Sequence, residues 1–565
     1  MTPSEPHLTE ARPNQSKAAI DGGRRVARRL GGLAYELTPQ VFAVATFVAG
    51  ALVLISAMTP AFVGRLTALG RWAPPLLIDL SHFAASVTGF VLLVLAAGLW
   101  RRRRGAYWAA LAVLMGGAVF SLLKGLDWEE ALELTAVAVL LAPCRGAFIR
   151  RSRLLEPLRP GWLLVLLAAV VALLWLGFFA YRDVAYTDDL WWRLVTDRQV
   201  SGFLRAAGGL AVLTLLAAGW SLLTAPGARS HGPAGPVELA RARAALVSAD
   251  RASPGAWLGL LGDKALMFSP SGRSFIAYRV RGRRWIALGE PVGLKSERRE
   301  LLWSFAETAD SYGAAAVFYS VGEGLLGDLA TMGLAVRKVG ESAVVPLGAF
   351  TLSGRSRQNL RTAVSRAERE GATFEVMPPG SAAANIDALK TVSDLWLRAH
   401  QGAEKTFSMG WFDPDHLDQG PLAVVRVEGR IVAFANLLVA GDELEVDLMR
   451  HRLDAPPGVM DYLFVRVMEW ARDQGFRVLG LGAAPLAGLE NRRMAPIFAR
   501  VGALVFDEGG ALYGFSGLRA YKAKFSPDWR PTFIAAPATT PLALALLDVA
   551  LLTSGGWAGL LGLRR

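Results

Sequence analysis

The stretch LAVVRVEGRIVAFANLLVAGDELEVDLMR, Leu422–Arg450, decides the character of the water-soluble part of this chain. It holds three runs, Leu422–Val427, Ile431–Val439 and Leu444–Arg450, joined at Glu428-Gly429 and Gly441-Asp442. Short runs rich in Val, Ile and Phe and bounded by glycine-containing pairs predict strands linked by tight turns. A helical pattern follows over Met460–Gln474 and a further strand over Arg477–Leu481, which makes a strand–helix–strand unit.

The same order occurs upstream. Ser274–Val280 and Arg284–Leu288 read as a hairpin around Arg281-Gly282, and Ser296–Tyr312 reads as a helix. The soluble part is therefore expected to hold two α/β modules of similar architecture, residues 250–350 and 373–540, related as an internal repeat. Residues 351–372 connect them through a helix over Ser356–Glu370, whose Leu360, Ala363, Val364 and Ala367 stand at i, i+3, i+4 and i+7. Its other faces carry Arg357, Arg361, Arg366 and Arg369, with Arg355 just ahead and only Glu368 and Glu370 to balance them. Such a surplus fits a polyanion; the plainer alternative is a surface helix with excess charge.

Composition requires something besides a soluble domain. At 565 residues and 53% hydrophobic, with a mean hydropathy of +0.34, the chain is too apolar to be wholly soluble and too long for one domain. Apolar stretches near 41–63, 80–100, 106–124, 129–148, 161–181 and 202–224 each approach the ~20 residues that cross a bilayer, so 41–224 is expected to be a six-helix membrane domain. Arginine clusters before the first span (Arg24, Arg25, Arg28, Arg29), between the second and third (Arg101 to Arg104) and between the fourth and fifth (Arg145, Arg150, Arg151, Arg153, Arg159) belong on one side. By the positive-inside rule the basic segment 1–40 and everything after the Pro/Gly linker 225–249 are cytoplasmic. The segment 541–565 is apolar but interrupted by Asp548 and Gly555-Gly556, and reads as a helix packed on the domain or lying on the bilayer.

A formal charge of +13 favours anionic partners, either phospholipid headgroups or nucleic acid. Cys144 is the single cysteine, and His7, His82, His231, His400, His416 and His451 are too scattered for a ligand pair. Neither a metal site nor a cofactor is expected.

The strand–helix–strand order resembles the GNAT acyltransferase fold, in which a donor lies between splayed strands. The glycine loop that holds coenzyme A pyrophosphate is replaced here by Asp454-Ala455-Pro456-Pro457-Gly458-Val459-Met460, where two prolines remove N–H donors. This disfavours coenzyme A. Glu445-Val446-Asp447-Leu448-Met449-Arg450-His451-Arg452, Gly458–Phe464, and Gly517–Phe525 with Pro527, Trp529 and Pro531 together resemble the synthase domain of the phosphatidylglycerol aminoacyltransferases, the multiple peptide resistance factor family. The resemblance covers 250–540 and the preceding spans. It implies a multi-span α-helical membrane domain plus a cytoplasmic α/β domain of two tandem GNAT-like acyltransferase modules, in the bacterial cytoplasmic (inner) membrane.

The implied reaction moves lysine or alanine from aminoacyl-tRNA to a glycerol hydroxyl of phosphatidylglycerol, which makes the membrane resistant to cationic antimicrobial peptides. Its partners are aminoacyl-tRNA, phosphatidylglycerol and the membrane, with a homo-oligomer left open. Six spans leave no room for the further membrane block that flips the lipid in the longest members.

An aminoacyl ester is already activated, so orientation and charge stabilisation suffice. On this reading Asp447 holds the substrate ammonium, Lys522 neutralises charge on the ester oxygens, and Arg450 orients Asp447 or a phosphate. Glu445 shares the strand face of Asp447 and Glu443 as an acidic pocket for a lysyl group. His451, on the opposite face from Arg450, is a candidate base, while Arg519, Tyr521 and Lys524 line the substrate, and Arg355, Arg357, Arg361, Arg366 and Arg369 meet tRNA. The competing readings are a lipid translocase or membrane scaffold with a merely binding domain, and a coenzyme A-dependent acyltransferase.

Overall fold

A computed structural model describes residues 37–56, 75–125, 127–150, 160–180, 232–250, 252–400, 404–508 and 515–560. The chain divides into two compact units, 1–226 with 311–313, and 227–310 with 314–565.

The first unit is helical. Leu37–Ser56 and Arg104–Leu123 are long and apolar enough, by length and composition, to cross a membrane; Val87–Trp100 and Gly161–Ala172 are shorter apolar helical stretches among the described residues. Small residues bring two of the helices together: a Cβ on Gly50 would stand 2.8 Å from the Gly89 carbonyl oxygen, and one on Gly89 2.7 Å from Leu54 Cγ. The expected span 129–148 requires correction. Its helix runs only over Trp128–Leu141, 14 residues, before a 3-10 turn at Ala142–Ala147. Fourteen residues rise about 21 Å at 1.5 Å each, and Pro143 has no N–H to extend the ladder. The span expected at 202–224 lies outside the described residues. Arg104 N–H donates to the Arg150 carbonyl and Arg150 N–H to that of Arg102, both at 3.0 Å. Two of the arginine-rich turns therefore lie at one end of this unit.

The second unit is built on one sheet of 11 strands. In chain order these are β1 (Ala265–Phe268), β2 (Phe275–Arg281), β3 (Arg284–Leu288), β4 (Ala315–Val321), β5 (Leu334–Pro346), β6 (Thr373–Met377), β7 (Leu422–Val427), β8 (Arg430–Ala440), β9 (Glu443–His451), β10 (Val478–Pro485) and β11 (Asp528–Pro537). Their spatial order is β1-β2-β3-β4-β11-β5-β10-β9-β8-β7-β6. Two neighbouring pairs are parallel, β3/β4 and β9/β10. Each needs a crossover, supplied by the helices Arg298–Ser311 and Val459–Asp473. The element order thus runs twice, and the halves exchange their last strands. β5 lies beside β10, β11 lies beside β4, and β5 and β11 pair antiparallel from Asp528↔Val344 to Pro537↔Leu334.

The main core packs Val459–Asp473 and the connecting helix Gln358–Arg369 on one sheet face; Leu360, Val364 and Ala367 are buried there, as their spacing predicts. The C-terminal helix Leu542–Thr553 packs on the domain through Ala545, Val549 and Leu552. Its buried Asp548 pairs with Arg284 at 2.5 Å and Arg281 at 3.4 Å.

Because β5 belongs to one half by sequence and to the other by pairing, damage to it should be felt throughout the sheet. A Cβ on Gly340 would stand 2.7 Å from the Ala484 carbonyl oxygen and 3.0 Å from Pro485 Cα, backbone atoms that cannot rotate away. Gly340→Ala is expected to cost about 1–3 kcal/mol, the range for overpacking, as one cooperative transition in denaturant. Separate melting of the two halves would contradict this account.

Candidate active site

The site begins where a ladder stops. β9 and β10 pair only at Val478↔Glu443, Leu479↔Leu444 and Gly480↔Glu445, after which β10 continues along β5 from Ala483↔Ser342. The break falls at Gly480-Leu481-Gly482, where Gly482 has φ +80°, a conformation glycine adopts without a Cβ penalty. A Cβ on Gly480 would meet Glu445 Cγ at 3.0 Å, and one on Gly482 would stand 3.7 Å from Lys522 Nζ. The two glycines therefore leave room for Glu445, from β9, and for Lys522, from the helix Phe515–Ala523.

Lys522 is buried and donates to the Ala483 carbonyl at 2.8 Å. Burial pulls its ammonium down to about 8 against the opposing pull of Glu445. Burial likewise pushes the Glu445 carboxyl up to about 7, reinforced by Asp447 and Glu443 and opposed by Lys522. A carboxyl and an amine both brought close to neutrality suit proton transfer.

A second irregularity places Asp447 and Arg450. The β8–β9 register passes from Ala435↔Met449 to Leu437↔Val446, so Asn436 faces both Asp447 and Leu448. This is a β-bulge, and the Asn436 side chain accepts the Leu448 N–H at 2.6 Å. Strict alternation would set Arg450 opposite Asp447. With the extra residue, both reach the segment Glu404–Leu417. Asp447 Oδ1 accepts the Gly410 N–H at 3.0 Å, while Oδ2 lies 3.3 Å from His416 Nε2 and 3.5 Å from Asn436 Nδ2. A Cβ on Gly410 would overlap the Asp447 carboxylate. Arg450 is buried, donates to Glu404 Oε2 at 2.6 Å and Ser393 Oγ at 2.7 Å, and lies 5.1 Å from the Trp396 ring centroid. It therefore meets Glu404 and Ser393 rather than Asp447, and both Asp447 oxygens already have protein partners.

The other expected site residues are dispersed. His451 Nδ1 stands 3.0 Å from the Arg452 carbonyl. Arg519 pairs with Glu341 at 3.1 Å and lies over Trp529, Lys524 pairs with Asp461 at 3.1 Å, and Tyr521 packs with Phe464 and Phe525. In the connecting segment, Arg357 donates to the Lys524 and Phe525 carbonyls and Arg361 to those of Leu352 and Gly354. Arg355, Arg366 and Arg369 are exposed, with Arg366 paired to Glu370 at 2.8 Å.

Sequence reasoning missed Glu404, Gly410, His416 and Asn436, as well as Asp263 and Lys264 of the first half. Asp263 Oδ2 accepts the Phe407 N–H at 3.0 Å. Lys264, fully buried, donates to Asp263 at 2.5 Å and to the Leu258 carbonyl at 2.7 Å; burial pulls its ammonium down, and Asp447 is among the charges opposing that. Only Asn436, a polar residue inside an apolar strand, carried a readable signal.

The second unit is thus a mixed α/β sheet whose parallel strands β9 and β10 part beside Glu445 and the buried Lys522. The family model for the C-terminal part of phosphatidylglycerol lysyltransferase matches residues 243–536. The chain belongs to that family. It is 33% identical over 497 residues to a phosphatidylglycerol lysyltransferase of Bacillus subtilis, covering 86% of this chain and 56% of the relative. A Staphylococcus aureus enzyme of the same name is 32% identical over 48% of this chain and 33% of its own length. The chain thus spans about half or less of these relatives. Among solved structures, the C-terminal domain (DUF2156) of a lysylphosphatidylglycerol synthetase from Agrobacterium fabrum superposes with TM-score 0.51 at 42% identity, covering 57% of this chain and 98% of that one. L-PGS from Bacillus licheniformis gives 0.50 at 34% identity, covering 57% and 98%.

Glu404→Gln keeps the shape but removes the charge facing buried Arg450. It is expected to cost about 1.5–3 kcal/mol, the worth of a charge-assisted hydrogen bond, and to speed amide exchange across 404–412. Unchanged exchange would show that the segment is held without Arg450.

Proposed function

We propose that this chain transfers an aminoacyl group, lysyl first, from aminoacyl-tRNA to a glycerol hydroxyl of phosphatidylglycerol, at the opening between β9 and β10. The observation that carries this reading is the Glu445–Lys522 pair in that opening. The lysyl choice rests on the names of the relatives. The setting proposed is the bacterial cytoplasmic membrane, with the α/β unit on the cytoplasmic side where aminoacyl-tRNA is available.

The chemistry follows from the ester. The lipid hydroxyl oxygen attacks the aminoacyl carbonyl carbon and gives up its proton to the Glu445 carboxylate. Negative charge develops on the carbonyl oxygen, and the Lys522 ammonium stabilises it. Collapse of the tetrahedral adduct breaks the bond from carbon to the ribose oxygen, which takes the proton and leaves with the tRNA. Asp447 and Arg450 act through others: they hold Gly410, His416 and Glu404, and with them the segment beside the opening.

Mass spectrometry of lipids from cells expressing the chain tests the reaction, since a new aminoacyl-phosphatidylglycerol reports acceptor and amino acid together. The absence of any such lipid, with the protein folded and donor supplied, would overturn it.

The pH dependence tests the roles. The active form has Glu445 ionised and Lys522 protonated, so initial rates should rise with pH through about 7 and fall through about 8. Glu445→Gln should remove the rising limb and lower turnover by about 10²–10⁴. Lys522→Met should lower it by about 10²–10³, the effect of losing one oxyanion partner. Near-wild-type turnover in either variant would remove that residue from the reaction.

Donor binding is assigned to Arg355, Arg366 and Arg369, which are exposed and do not hold the Leu352, Gly354, Lys524 or Phe525 carbonyls as Arg361 and Arg357 do. Replacing Arg355, Arg366 and Arg369 with Ala should weaken tRNA binding and flatten its log–log salt dependence by about 0.7–0.9 per lost phosphate contact. Arg357→Ala and Arg361→Ala, which remove donors to backbone carbonyls, should lower thermal stability instead. An unchanged salt slope in the triple variant would return this helix to the surface-charge reading.

A further inference from the structure

The helix Ile497–Glu508 carries Ile497, Val501 and Leu504 outward. Ile497 is 77% exposed, Val501 53% and Leu504 55%, with Met494 at 87% in the turn ahead. Positions i, i+4 and i+7 make one stripe along a helix. The face turned to the domain is made of smaller or partly covered groups: Ala503 is buried, Phe498 packs on the cluster around Ile534 and Val549, and a Cβ on Gly502 would stand 2.6 Å from Leu489 Cδ1. A helix on a soluble domain ordinarily buries its apolar stripe. Here the stripe is the outer surface.

Charge identifies the occupant. Arg492, Arg493 and Arg500 are exposed around the N-terminal part of the stripe, and Arg492 lies 3.2 Å from Glu490. The acidic residues Asp507 and Glu508 come at the other end. Four apolar side chains are too few for a stable interface with a second copy, which needs upwards of about 1,000 Å². They suit a helix lying in the headgroup boundary, where an apolar face enters a few ångströms and basic residues meet lipid phosphates. The same helix packs against Phe515–Ala523, the helix that carries Lys522, on which Leu518 is also exposed.

We propose that Met494, Ile497, Val501 and Leu504, with Arg492, Arg493 and Arg500, dock the α/β unit on an anionic bilayer surface and so set the lipid headgroup beside the Glu445–Lys522 opening. The proposal rests on the reading that the acceptor is a membrane lipid.

The test uses the full chain in proteoliposomes. Cys144 is the only cysteine, so a Cys144→Ser background accepts a single bimane label at Val501→Cys, or at the control position Lys390→Cys, whose side chain is 60% exposed on the helix Ile386–Ala399. In vesicles containing phosphatidylglycerol, brominated lipid should quench the Val501 label at least threefold more than the Lys390 label. In purely zwitterionic vesicles the difference should shrink. Equal quenching at the two positions would overturn the proposal. A blue shift without bromolipid quenching would overturn it too, because it would mean that protein covers this face.

A second measurement removes the stripe. Ile497→Ser, Val501→Ser and Leu504→Ser together should slow transfer to phosphatidylglycerol in bilayers about tenfold, while leaving transfer to a short-chain, monomeric phosphatidylglycerol unchanged. Equal loss on both acceptors would overturn docking. The two readings fail separately. Aminoacyl-lipid made with an unquenched label defeats docking and leaves the reaction, and a quenched label without aminoacyl-lipid defeats the reaction and leaves docking.

Discussion

β9 and β10 cannot keep a continuous ladder and also hold side chains between them, and the site depends on that incompatibility. Adjacent strands stand about 4.8 Å apart, too close to admit a carboxylate and an ammonium. The pairing ends at Gly480↔Glu445, and the strands go on with different neighbours, β10 with β5 and β9 with β8. Each strand keeps its neighbour on the side away from the opening. Desolvation in the opening pushes the Glu445 carboxyl up and pulls the Lys522 amine down, toward each other's range. In water the same two residues would be a carboxylate and an ammonium far from titration at neutral pH.

The segment Glu404–Leu417 is where several parts of the unit meet. Phe407 is buried, with its N–H on Asp263 and its ring in the cluster of Ile286, Val317 and Ile534. Thr406 bonds through its N–H and its hydroxyl to the carbonyls of Thr553 and Leu552 at the end of the C-terminal helix. Glu404 and Gly410 then reach Arg450 and Asp447. The sequence pair Asp447 and Arg450 thus works as two anchors on one strand for a segment that is held from the other side by the first half and by the chain terminus. This accounts for a buried arginine that takes no place in the opening.

The elements themselves were legible because each has a local cause. The three strands of Leu422–Arg450, the helix after them and the stripe of the connecting helix follow from periodicity and from glycine at the turns, and they lie within one or two residues of where those signals put them. Glu445 and Lys522 were legible as chemistry but not as a pair, because their meeting depends on a strand break that only the glycines at 480 and 482 hint at. The bulge at Asp447–Leu448 was not legible: alternation places Arg450 on the wrong face, and the residue that corrects it, Asn436, sits on another strand. Arg357 and Arg361 show the limit of charge counting. A surplus of arginine on a helix says nothing about how many are needed at home, and these two satisfy backbone carbonyls. The fourth apolar stretch was read too long because hydropathy does not register that Pro143 ends a helix.

The duplicated order raises the question of why only one half has an opening. In the first half the parallel pair stays zipped over five positions, from Arg284↔Ala315 to Leu288↔Tyr319. Trp285, stacked on Tyr278 and packed against Phe305, fills the space beside that pair. With no parting there is nowhere for a substrate to lie. What the first half contributes instead is support: β5 along the far side of β10, Asp263 under Phe407, and Trp257, whose indole N–H donates to the Val439 carbonyl at 2.7 Å near the end of β8. The strand exchange makes this support obligatory, because β5 leaves the first half to back β10, one wall of the opening, while β11 leaves the second to complete the first. Neither half holds the opening alone, so the repeat persists as a single folded object in which one copy supports the strands and the other carries the side chains of the opening.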